Sequence, residues 1–302
     1  MHHVQGWTLD LVDDGRQGHL DGFAHRTLVD GAVGATHTDL GLSRLEPGAA
    51  QARHVHAFEQ CAYVLQGRPI VEHGTQRYQL EVGDYVLFPV GAPHALANPN
   101  DEPAAWLELA TPLPFAPGGR EDTFALPPLP GDRLASVARP PFGDPTLRHL
   151  GHFLGTDAQA AALALADPAR GRAPAGMDTA LLAYSGISVK MMVDPGLGAE
   201  LCTMFMVDYE PGGAAQVHDH PFEEAYFFLQ GEIEGEIEGE VRTFRAGEVL
   251  FCGVGVLHGF FNTGGGHVRW IETQAPQPPR RHSYRWPAHW AALKAALGGT
   301  GH

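Results

Sequence analysis

The amino-acid sequence predicts an all-β protein made of two tandem barrels with a few peripheral helices, and three observations support this fold class. The chain has 302 residues, which suits about two domains of ordinary size. Short apolar runs of strand length, separated by glycine and proline, dominate the sequence, and such spacing is typical of small antiparallel barrels. A histidine pattern occurs twice with a constant offset of 164 positions, first as His54, His56 and His94 and again as His218, His220 and His258.

The duplication includes far more than the histidines. Self-similarity at a fixed offset indicates one structural unit that is present twice. We therefore expect an N-terminal barrel at residues 1–111 and a C-terminal barrel at residues 177–276. The other pairs that match at this offset are Glu46-Pro47-Gly48 with Glu210-Pro211-Gly212, Gln66-Gly67 with Gln230-Gly231, Gly83 with Gly247, Gly91 with Gly255, Asn98 with Asn262 and Trp106 with Trp270.

Two segments outside the barrels are predicted to be irregular, each with one short helix. Residues 112–176 are rich in proline and glycine, which predicts a linker, with one short helix that starts at Thr156 as its N-cap and ends before Asp167-Pro168. Residues 277–302 form a tail in which apolar side chains recur at helical spacing, so an amphipathic helix there would dock on its own domain or on a second subunit. This apolar stripe consists of Trp286, Trp290, Leu293 and Leu297.

Composition and charge argue against several classes of partner. The chain carries 20 Lys and Arg against 35 Asp and Glu, and the net charge of −15 disfavours nucleic acid and anionic membranes. Cys61, Cys202 and Cys252 are odd in number and widely spaced, so we expect buried thiols and a reducing, cytoplasmic location. No segment reads as a targeting signal or a membrane span. A small-molecule substrate is therefore the expected partner.

The repeated histidines indicate metal binding. In a strand, the two imidazoles of an H-x-H pair point to the same face because side chains alternate with period two. In the second repeat, Glu224 follows four residues after His220, and His258 adds a third imidazole. Three nitrogens and one carboxylate suit a divalent transition metal such as Fe, Mn, Ni or Zn, with coordination positions left open. The expected ligands are His218, His220, Glu224 and His258, and in the first repeat His54, His56, Gln60 and His94.

The two sites are expected to differ because the first repeat has Gln60 where the second has Glu224. An amide oxygen can coordinate a cation but carries no charge, so a divalent ion there loses its only anionic protein ligand. We therefore place the main metal centre in the C-terminal barrel. The N-terminal barrel is expected to hold a weaker second centre or to be a structural partner.

Strand alternation also predicts which side chains surround the C-terminal site. Steps of two residues from Glu224, His218 and His258 assign further positions to the barrel interior. Taken singly, each of these residues is more often a core residue than a substrate contact. Together they would form an aromatic wall with a few polar groups, which suits a small, partly apolar substrate. The candidate substrate-binding residues are Gln216, Tyr226, Phe228, Phe260 and Asn262.

These residues together resemble the cupin superfamily, specifically its two-domain members, the bicupins. The first motif of the family, G(X)5HXH(X)3–4E(X)6G, is present in the second repeat, and the second motif, G(X)5PXG(X)2H(X)3N, is present with Gly253 in place of its proline. The first repeat matches both motifs except that Gln60 replaces the acidic ligand. The matching residues are Gly212, His218, His220, Glu224, Gly231, Gly247, Gly255, His258 and Asn262, and Gly48, His54, His56, Gly67, Gly83, Pro89, Gly91, His94 and Asn98.

The resemblance to bicupins implies two jelly-roll barrels, a divalent metal cofactor and a tendency to form homodimers or higher homo-oligomers. It implies a metal-dependent enzyme that acts on a small organic molecule, most commonly a dioxygenase with Fe(II), Mn(II) or Ni(II). In such an enzyme Glu224 would be a metal ligand and the catalytic proton acceptor.

Three alternatives remain open at the level of sequence. One is a manganese-dependent hydrolase that resembles the ureidoglycine aminohydrolases, in which the ion acts as a Lewis acid. The second is an activity similar to that of oxalate decarboxylase. The third is a non-enzymatic bicupin that binds a small molecule as a sensor or store.

Overall fold

The computed structural model describes residues 2–9, 22–115, 121–144, 146–153, 184–279 and 285. Within these ranges the regular structure is antiparallel β-sheet, apart from two single 3-10 turns at Gly31–Val33 and Gly131–Arg133. The helices predicted near residues 156–165 and 287–297 lie outside the described residues. In the described part of the chain, no helix has the length and apolar character needed to cross a membrane.

Most strands are short, as the punctuated sequence predicts, and β14 is the longest described strand with 16 residues. In chain order they are β1 (His2–Gly6), β2 (Phe23–Val29), β3 (Asp39–Leu45), β4 (Ala50–His56), β5 (Glu59–Gln66), β6 (Ile70–His73), β7 (Gln76–Gln79), β8 (Asp84–Phe88), β9 (His94–Ala97), β10 (Ala104–Thr111), β11 (Thr123–Ala125), β12 (Leu150–His152), β13 (Tyr184–Val193), β14 (Thr203–His218), β15 (Glu223–Gln230), β16 (Glu232–Ile237), β17 (Glu240–Arg245), β18 (Glu248–Cys252), β19 (His258–Phe261) and β20 (Val268–Ala275).

The N-terminal barrel consists of two facing sheets. One sheet has the strand order β12-β8-β5-β10-β3-β2 and the other has the order β11-β4-β9-β6-β7. Aliphatic and aromatic side chains fill the space between them, with Trp106, Phe88 and Leu45 among the most deeply buried. Among the described residues, 7–9, 22–115, 121–144, 146–153 and 191–204 make up this compact unit. Strands β11 and β12 come from the segment that the sequence predicts as a linker, and they extend the two sheets.

The C-terminal barrel is a nine-stranded, nearly closed sheet. Its strand order is β1-β18-β15-β20-β14-β19-β16-β17, and β13 also pairs with β14. Among the described residues, 2–6, 184–190, 205–279 and 285 make up this second compact unit. The run at residues 232–240 alternates as expected, because Ile233, Gly235 and Ile237 are buried while the acidic side chains between them are not.

Two short segments do not belong to the compact unit that their position in the chain suggests, but to the other one. Strand β1 pairs with β18 of the C-terminal barrel through five register pairs, from His2 with Cys252 to Gly6 with Glu248. Residues 191–204 belong to the N-terminal unit, where the Glu59 carboxylate accepts hydrogen bonds from the backbone N–H groups of residues 200–202. The domain boundaries expected from the sequence stay a prediction.

The expectation for the cysteines is confirmed. Cys61, Cys202 and Cys252 are buried free thiols. The repeated asparagines, Asn98 and Asn262, each donate side-chain hydrogen bonds to backbone carbonyls in turns. Gly48 and Gly212 of the two Glu-Pro-Gly sequences have φ angles of +78° and +80°, a region that residues with a Cβ rarely adopt. Gly48 lies in the turn before β4, and Gly212 lies within β14, before His218.

Candidate metal centres

The C-terminal barrel brings three imidazoles and one carboxylate together. His218 and His258 are cross-strand partners in the β14–β19 pair, and His220 follows just beyond the end of β14. One nitrogen from each of these three histidines lies within 4.8 Å of the other two. The Glu224 Oε2 atom on β15 is 2.7 Å from His220 Nε2 and 3.2 Å from His258 Nε2. All four side chains are almost completely buried, so they form one enclosed donor set.

The outer nitrogen of each imidazole is fixed by the backbone. Nδ1 of His218 is 2.7 Å from the carbonyl of Gln216, Nδ1 of His258 is 2.9 Å from the carbonyl of Val256, and Nδ1 of His220 is 2.9 Å from the carbonyl of Phe222. A carbonyl oxygen only accepts hydrogen bonds, so Nδ1 carries the proton and donates it. The Nε2 lone pairs are then available to a cation, which is the usual arrangement of metal-binding histidines.

The electrostatics of this cluster also suit a cation. Burial, followed by repulsion from His258 and His220, lowers the pKa of His218 well below its ordinary value, so this imidazole is neutral. Burial alone would raise the pKa of Glu224, but the charges and hydrogen bonds of His220 and His258 hold it well below its ordinary value. The carboxylate is therefore ionised, and a divalent ion would find one negative charge beside the imidazole nitrogens.

Two side chains orient the Glu224 carboxylate. The Tyr226 hydroxyl donates a hydrogen bond to Oε2, and Gln274 Nε2 donates one of 2.7 Å to Oε1. Gln274 lies on β20, directly across the sheet from Glu224. Gln274 could not be identified from the sequence, because no motif includes it. It becomes a neighbour of Glu224 only through the pairing of β15 with β20.

A small cavity lies beside His218 and Glu224. Its wall is mostly aromatic and aliphatic, and the described residues that line it include no Lys or Arg. Glu272 is the one acidic side chain in this lining other than Glu224. The aromatic lining residues are Phe205, Tyr209, Tyr226, Phe260 and Trp270.

Two of the five predicted substrate-binding residues, Tyr226 and Phe260, line this cavity. Gln216 does not, because the β14–β19 register shifts between Ala215 and His218, so Ala215 takes the interior position instead.

Phe228 and Asn262 also lie outside the lining. Phe228 is fully buried and stacks on Phe244 at a centroid distance of 5.5 Å, so it is a core residue. Asn262 donates its amide hydrogen bonds to the carbonyls of Glu210 and Gly266, which places it in a turn.

Glu272 is a cavity residue that the sequence analysis missed. Burial, followed by repulsion from Glu224, raises its pKa well above the ordinary value, which favours the neutral acid. Trp270 Nε1 donates a 3.0 Å hydrogen bond to it. The repeat contained a signal for this residue, because Glu108 follows Trp106 in the first repeat as Glu272 follows Trp270 in the second.

The N-terminal barrel repeats the three-histidine cluster. His54 and His94 are cross-strand partners in the β4–β9 pair, and the Nε2 atoms of His54 and His56 are 3.2 Å apart. Metal–nitrogen distances near 2.1 Å place two nitrogen ligands of one ion about 3.0–3.4 Å apart. Nδ1 of His54 and of His94 lies 2.6 Å and 2.9 Å from the carbonyls of Ala52 and Ala92, as in the second barrel.

Buried polar atoms in this cluster also point to a cation. Gln60 Oε1 and His94 Nε2 are buried and have no hydrogen-bond partner among the described residues. Such orphaned atoms are costly unless a ligand satisfies them. Burial and then repulsion from His54 lower the pKa of His56 to about 3, and burial lowers that of His94 well below its ordinary value. The imidazoles are therefore neutral and fit a divalent ion, although the cluster includes no carboxylate at position 60.

His56 has a different outer contact from the other clustered histidines. Its Nδ1 atom is 2.8 Å from the Thr123 hydroxyl oxygen, on a strand from the segment predicted as a linker. Because β11 pairs with β4, this threonine is placed against the metal-binding strand. The repeat gives no signal for Thr123, because His220, the counterpart of His56 in the second repeat, contacts a backbone carbonyl instead.

Comparison with known proteins identifies similar sequences. The sequence profile of the cupin domain family matches residues 41–110 and 205–273. The polyketide synthase protein CurC of Streptomyces cyaneus is 32% identical over 95 residues, which is 31% of this chain and 62% of CurC, so the chain spans less than two thirds of that relative. The tetracenomycin polyketide synthase protein TcmJ of Streptomyces glaucescens is 30% identical over 112 residues, which is 36% of this chain and 75% of TcmJ.

Solved structures share the architecture over nearly the whole chain. Salicylate 1,2-dioxygenase from Pseudoaminobacter salicylatoxidans, in adducts with gentisate, aligns with a TM-score of 0.66 at 15% identity, over 98% of this chain and 83% of that one. Oxalate decarboxylase from Bacillus subtilis, at pH 4.6, aligns with a TM-score of 0.58 at 17% identity, over 97% of this chain and 82% of that one. At these identities the likeness shows a shared fold.

Proposed function

Because this chain belongs to the cupin superfamily and carries two cupin domains in tandem, we propose that it is a metal-dependent dioxygenase with its main centre in the C-terminal barrel. The observation that carries the proposal is the convergence of His218, His220, His258 and Glu224 at the edge of an aromatic cavity. Four protein ligands leave coordination positions of a first-row ion open to substrate.

The bound ion and the residues around it would have different roles. A redox-active divalent ion, when bound, would supply electron transfer between the organic substrate and dioxygen. Tyr226 and Gln274 hold the Glu224 carboxylate in one orientation, so that it remains a ligand and can accept a proton from a substrate hydroxyl. The aromatic wall would exclude water and fix the plane of the substrate by stacking.

The cavity favours an uncharged aromatic substrate that carries hydroxyl groups. A substrate carboxylate would face the negative charge of Glu224, and the described lining offers no Lys or Arg to neutralise it. An unpaired charge in such an enclosed site is costly, whereas a phenolic ring packs on Tyr226, Phe260 and Trp270. The names of the two Streptomyces relatives, both polyketide synthase proteins, agree with a substrate of polyketide type.

Replacing the carboxylate ligand tests the proposal. We expect the purified protein to contain Fe or Mn and to consume oxygen with catechols and other uncharged phenols, and to react more slowly with hydroxybenzoates. Glu224→Gln should lower the C-terminal metal content and reduce oxygen uptake at least about a hundredfold, because the ion loses its anionic ligand. The matched control is Glu232→Gln, an exposed carboxyl of the same barrel, which should keep both properties. Elemental analysis and an oxygen electrode measure them.

Other results would contradict the dioxygenase. Ammonia release from ureides without oxygen uptake would indicate the hydrolase, and formation of formate and carbon dioxide from oxalate would indicate a decarboxylase. A ligand that raises the unfolding temperature, with no turnover of any of these compounds, would indicate a binding protein.

A further inference from the structure

The N-terminal centre has no anionic ligand in the position that the C-terminal centre uses. Gln60 stands where the second barrel has Glu224, and the cluster otherwise consists of His54, His56 and His94. A divalent ion surrounded only by neutral groups inside a barrel keeps an uncompensated charge, which is unfavourable. A nearby carboxylate would remove this penalty.

The surroundings of Gln60 are not built to hold a carboxylate. In the second barrel, Glu224 is held by Tyr226 and Gln274. The residues 164 positions earlier are Ala62 and Ala110, and neither has a side chain that can donate a hydrogen bond. The acidic ligand and both of its supports have therefore been replaced together.

Glu108, in contrast, is a firmly held carboxylate. Its Oε2 atom accepts hydrogen bonds of 2.8 Å from the Ser43 hydroxyl and 2.9 Å from Trp106 Nε1. His25 Nδ1 lies 3.4 Å from Oε1 and 2.9 Å from the Ser43 hydroxyl oxygen. The imidazole fits because a Cβ at Gly41 would come within 2.5 Å of His25 Cε1, so only glycine leaves it room.

The equivalent carboxylate of the second barrel has different neighbours. Glu272 keeps the hydrogen bond from Trp270, but the positions equivalent to His25 and Ser43 are Val189 and Val207, which line the cavity as apolar residues. The two barrels thus anchor their carboxylates at different places, at position 224 in one and at position 108 in the other.

Glu108 faces the N-terminal metal cluster. On β10 it is the cross-strand partner of Ala62, and Ala110 is the partner of Gln60, so these residues share one face of the sheet. The charge of Glu108 acts on the imidazole of His54. Its counterpart Glu272 lines a cavity together with His218, the counterpart of His54.

We propose that Glu108 is the anionic partner of the N-terminal metal centre and compensates the charge of the bound ion from the adjacent strand β10. This inference goes beyond the proposed function, which concerns the C-terminal centre. It makes the N-terminal barrel a second metal site of its own kind, with three histidines and a carboxylate on a different strand.

A cobalt(II) titration of the chelator-stripped, full-length protein tests this inference. We expect two binding steps in the visible absorption of the ion, and Glu224→Gln assigns the C-terminal step by weakening it. Glu108→Gln should raise the dissociation constant of the N-terminal step at least about tenfold and leave the C-terminal step unchanged. The matched control, Glu272→Gln, should leave the N-terminal step within about twofold. Gln60→Glu added to Glu108→Gln should restore part of the binding, because it supplies a charge beside the ion although Ala62 and Ala110 offer no donor to orient it.

An unchanged N-terminal step in Glu108→Gln would overturn the proposal, and so would a wild-type protein that binds one ion only. Both outcomes are read from the N-terminal step, so they are distinguishable from failure of the dioxygenase proposal. Should Glu108→Gln not fold, Ser43→Ala removes one donor to the carboxylate without adding volume. This variant should weaken the N-terminal step about threefold, and an unchanged step would count equally against the proposal.

Discussion

His56 differs from the other five clustered histidines in what holds its outer nitrogen. The other five lie with Nδ1 against a backbone carbonyl, whereas His56 meets the Thr123 hydroxyl. A hydroxyl can donate or accept, so it fixes the imidazole orientation through one rotatable side chain. The outer contact of this ligand can therefore be removed by mutation, which a backbone contact does not allow.

Removal of the Thr123 hydroxyl should weaken the N-terminal metal centre. Loss of a hydrogen-bond partner behind a histidine ligand costs about tenfold to a hundredfold in metal affinity. We expect Thr123→Ala to raise the dissociation constant of the N-terminal step about tenfold in the cobalt titration, and Thr123→Ser to keep the wild-type value. Equal weakening by both variants would show that the methyl group, and not the hydroxyl, is important.

Asp39 predicts a pH dependence of stability that is separate from the metal centres. Burial, followed by repulsion from Glu108 and Asp30, raises its pKa from 3.8 to about 8. Below pH 3.8 the carboxyl is protonated in both the folded and the unfolded state. Between these two pKa values only the unfolded chain loses the proton, so the free energy of unfolding falls as the pH rises, and the loss is complete above about pH 8.

Asp39→Asn should abolish this part of the pH dependence. In urea unfolding of the chelator-stripped protein, the variant should gain stability relative to wild type from about pH 4 to pH 8. The difference between the two proteins isolates Asp39 from the histidines, whose lowered pKa values act in the opposite direction at acid pH. A constant difference across this range would contradict the assignment.

At the scale of elements, register decides which residues reach a site. The H-x-H strands and the strands that carry His94 and His258 pair as the repeat implies, and this part of both centres could be predicted from spacing alone. Alternation failed at Gln216 because a register shift lies between Ala215 and His218. Such a shift is a property of two paired strands, so a single strand's pattern does not reveal it.

The segment at residues 191–204 depends on one carboxylate. Glu59 accepts backbone hydrogen bonds from Glu200, Leu201 and Cys202, at 2.9, 3.1 and 3.2 Å, and it is itself buried. A glutamine in its place would turn an N–H group towards some of these donors and leave them unsatisfied.

We expect Glu59→Gln to lower the free energy of unfolding by about 2–4 kcal/mol, because buried donors lose a charged acceptor. The control is Glu200→Gln, which changes an exposed side chain but keeps the backbone N–H that Glu59 binds. Urea unfolding measures both variants. A variant at position 59 that matches the control would show that the carboxylate does not hold the segment.

At the scale of the whole molecule, duplication made the fold predictable and divergence limited the prediction of the sites. The offset of 164 residues identified both barrels and all six histidines. Glu108 and Glu272 also match at this offset. The pattern alone does not indicate, however, which acidic residue of each barrel is held firmly by hydrogen bonds. That depends on the neighbouring side chains, which are His25 and Ser43 in the first barrel and Val189 and Val207 in the second. These residues become neighbours of the carboxylates only when the strands pair.

Strand β1 should contribute to the stability of the C-terminal barrel. Deletion of residues 2–6 would expose the backbone of β18, which pairs with β1 over its whole length. Loss of such a ladder costs about 3 kcal/mol, which corresponds to roughly 5–10 °C in the unfolding midpoint of a domain of this size. Calorimetry measures the shift, and the C-terminal cobalt step should weaken while the N-terminal step does not.

The control for this deletion replaces residues 2–6 with five other strand-forming residues. Since the pairing uses backbone groups, the replacement should retain most of the stability. A deletion that leaves the midpoint unchanged would contradict the role assigned to β1.

The pairing of β1 with β18 also has a consequence for synthesis on the ribosome. The partner strand is translated about 240 residues after β1. At a translation rate of roughly 5–20 residues per second, β1 therefore has no partner strand for about 10–50 s. The N-terminal barrel can fold during that delay, while the C-terminal barrel reaches its complete sheet only near the end of translation. A nascent chain stalled before β18 emerges should therefore expose β1 to protease, and release of the finished chain should protect it.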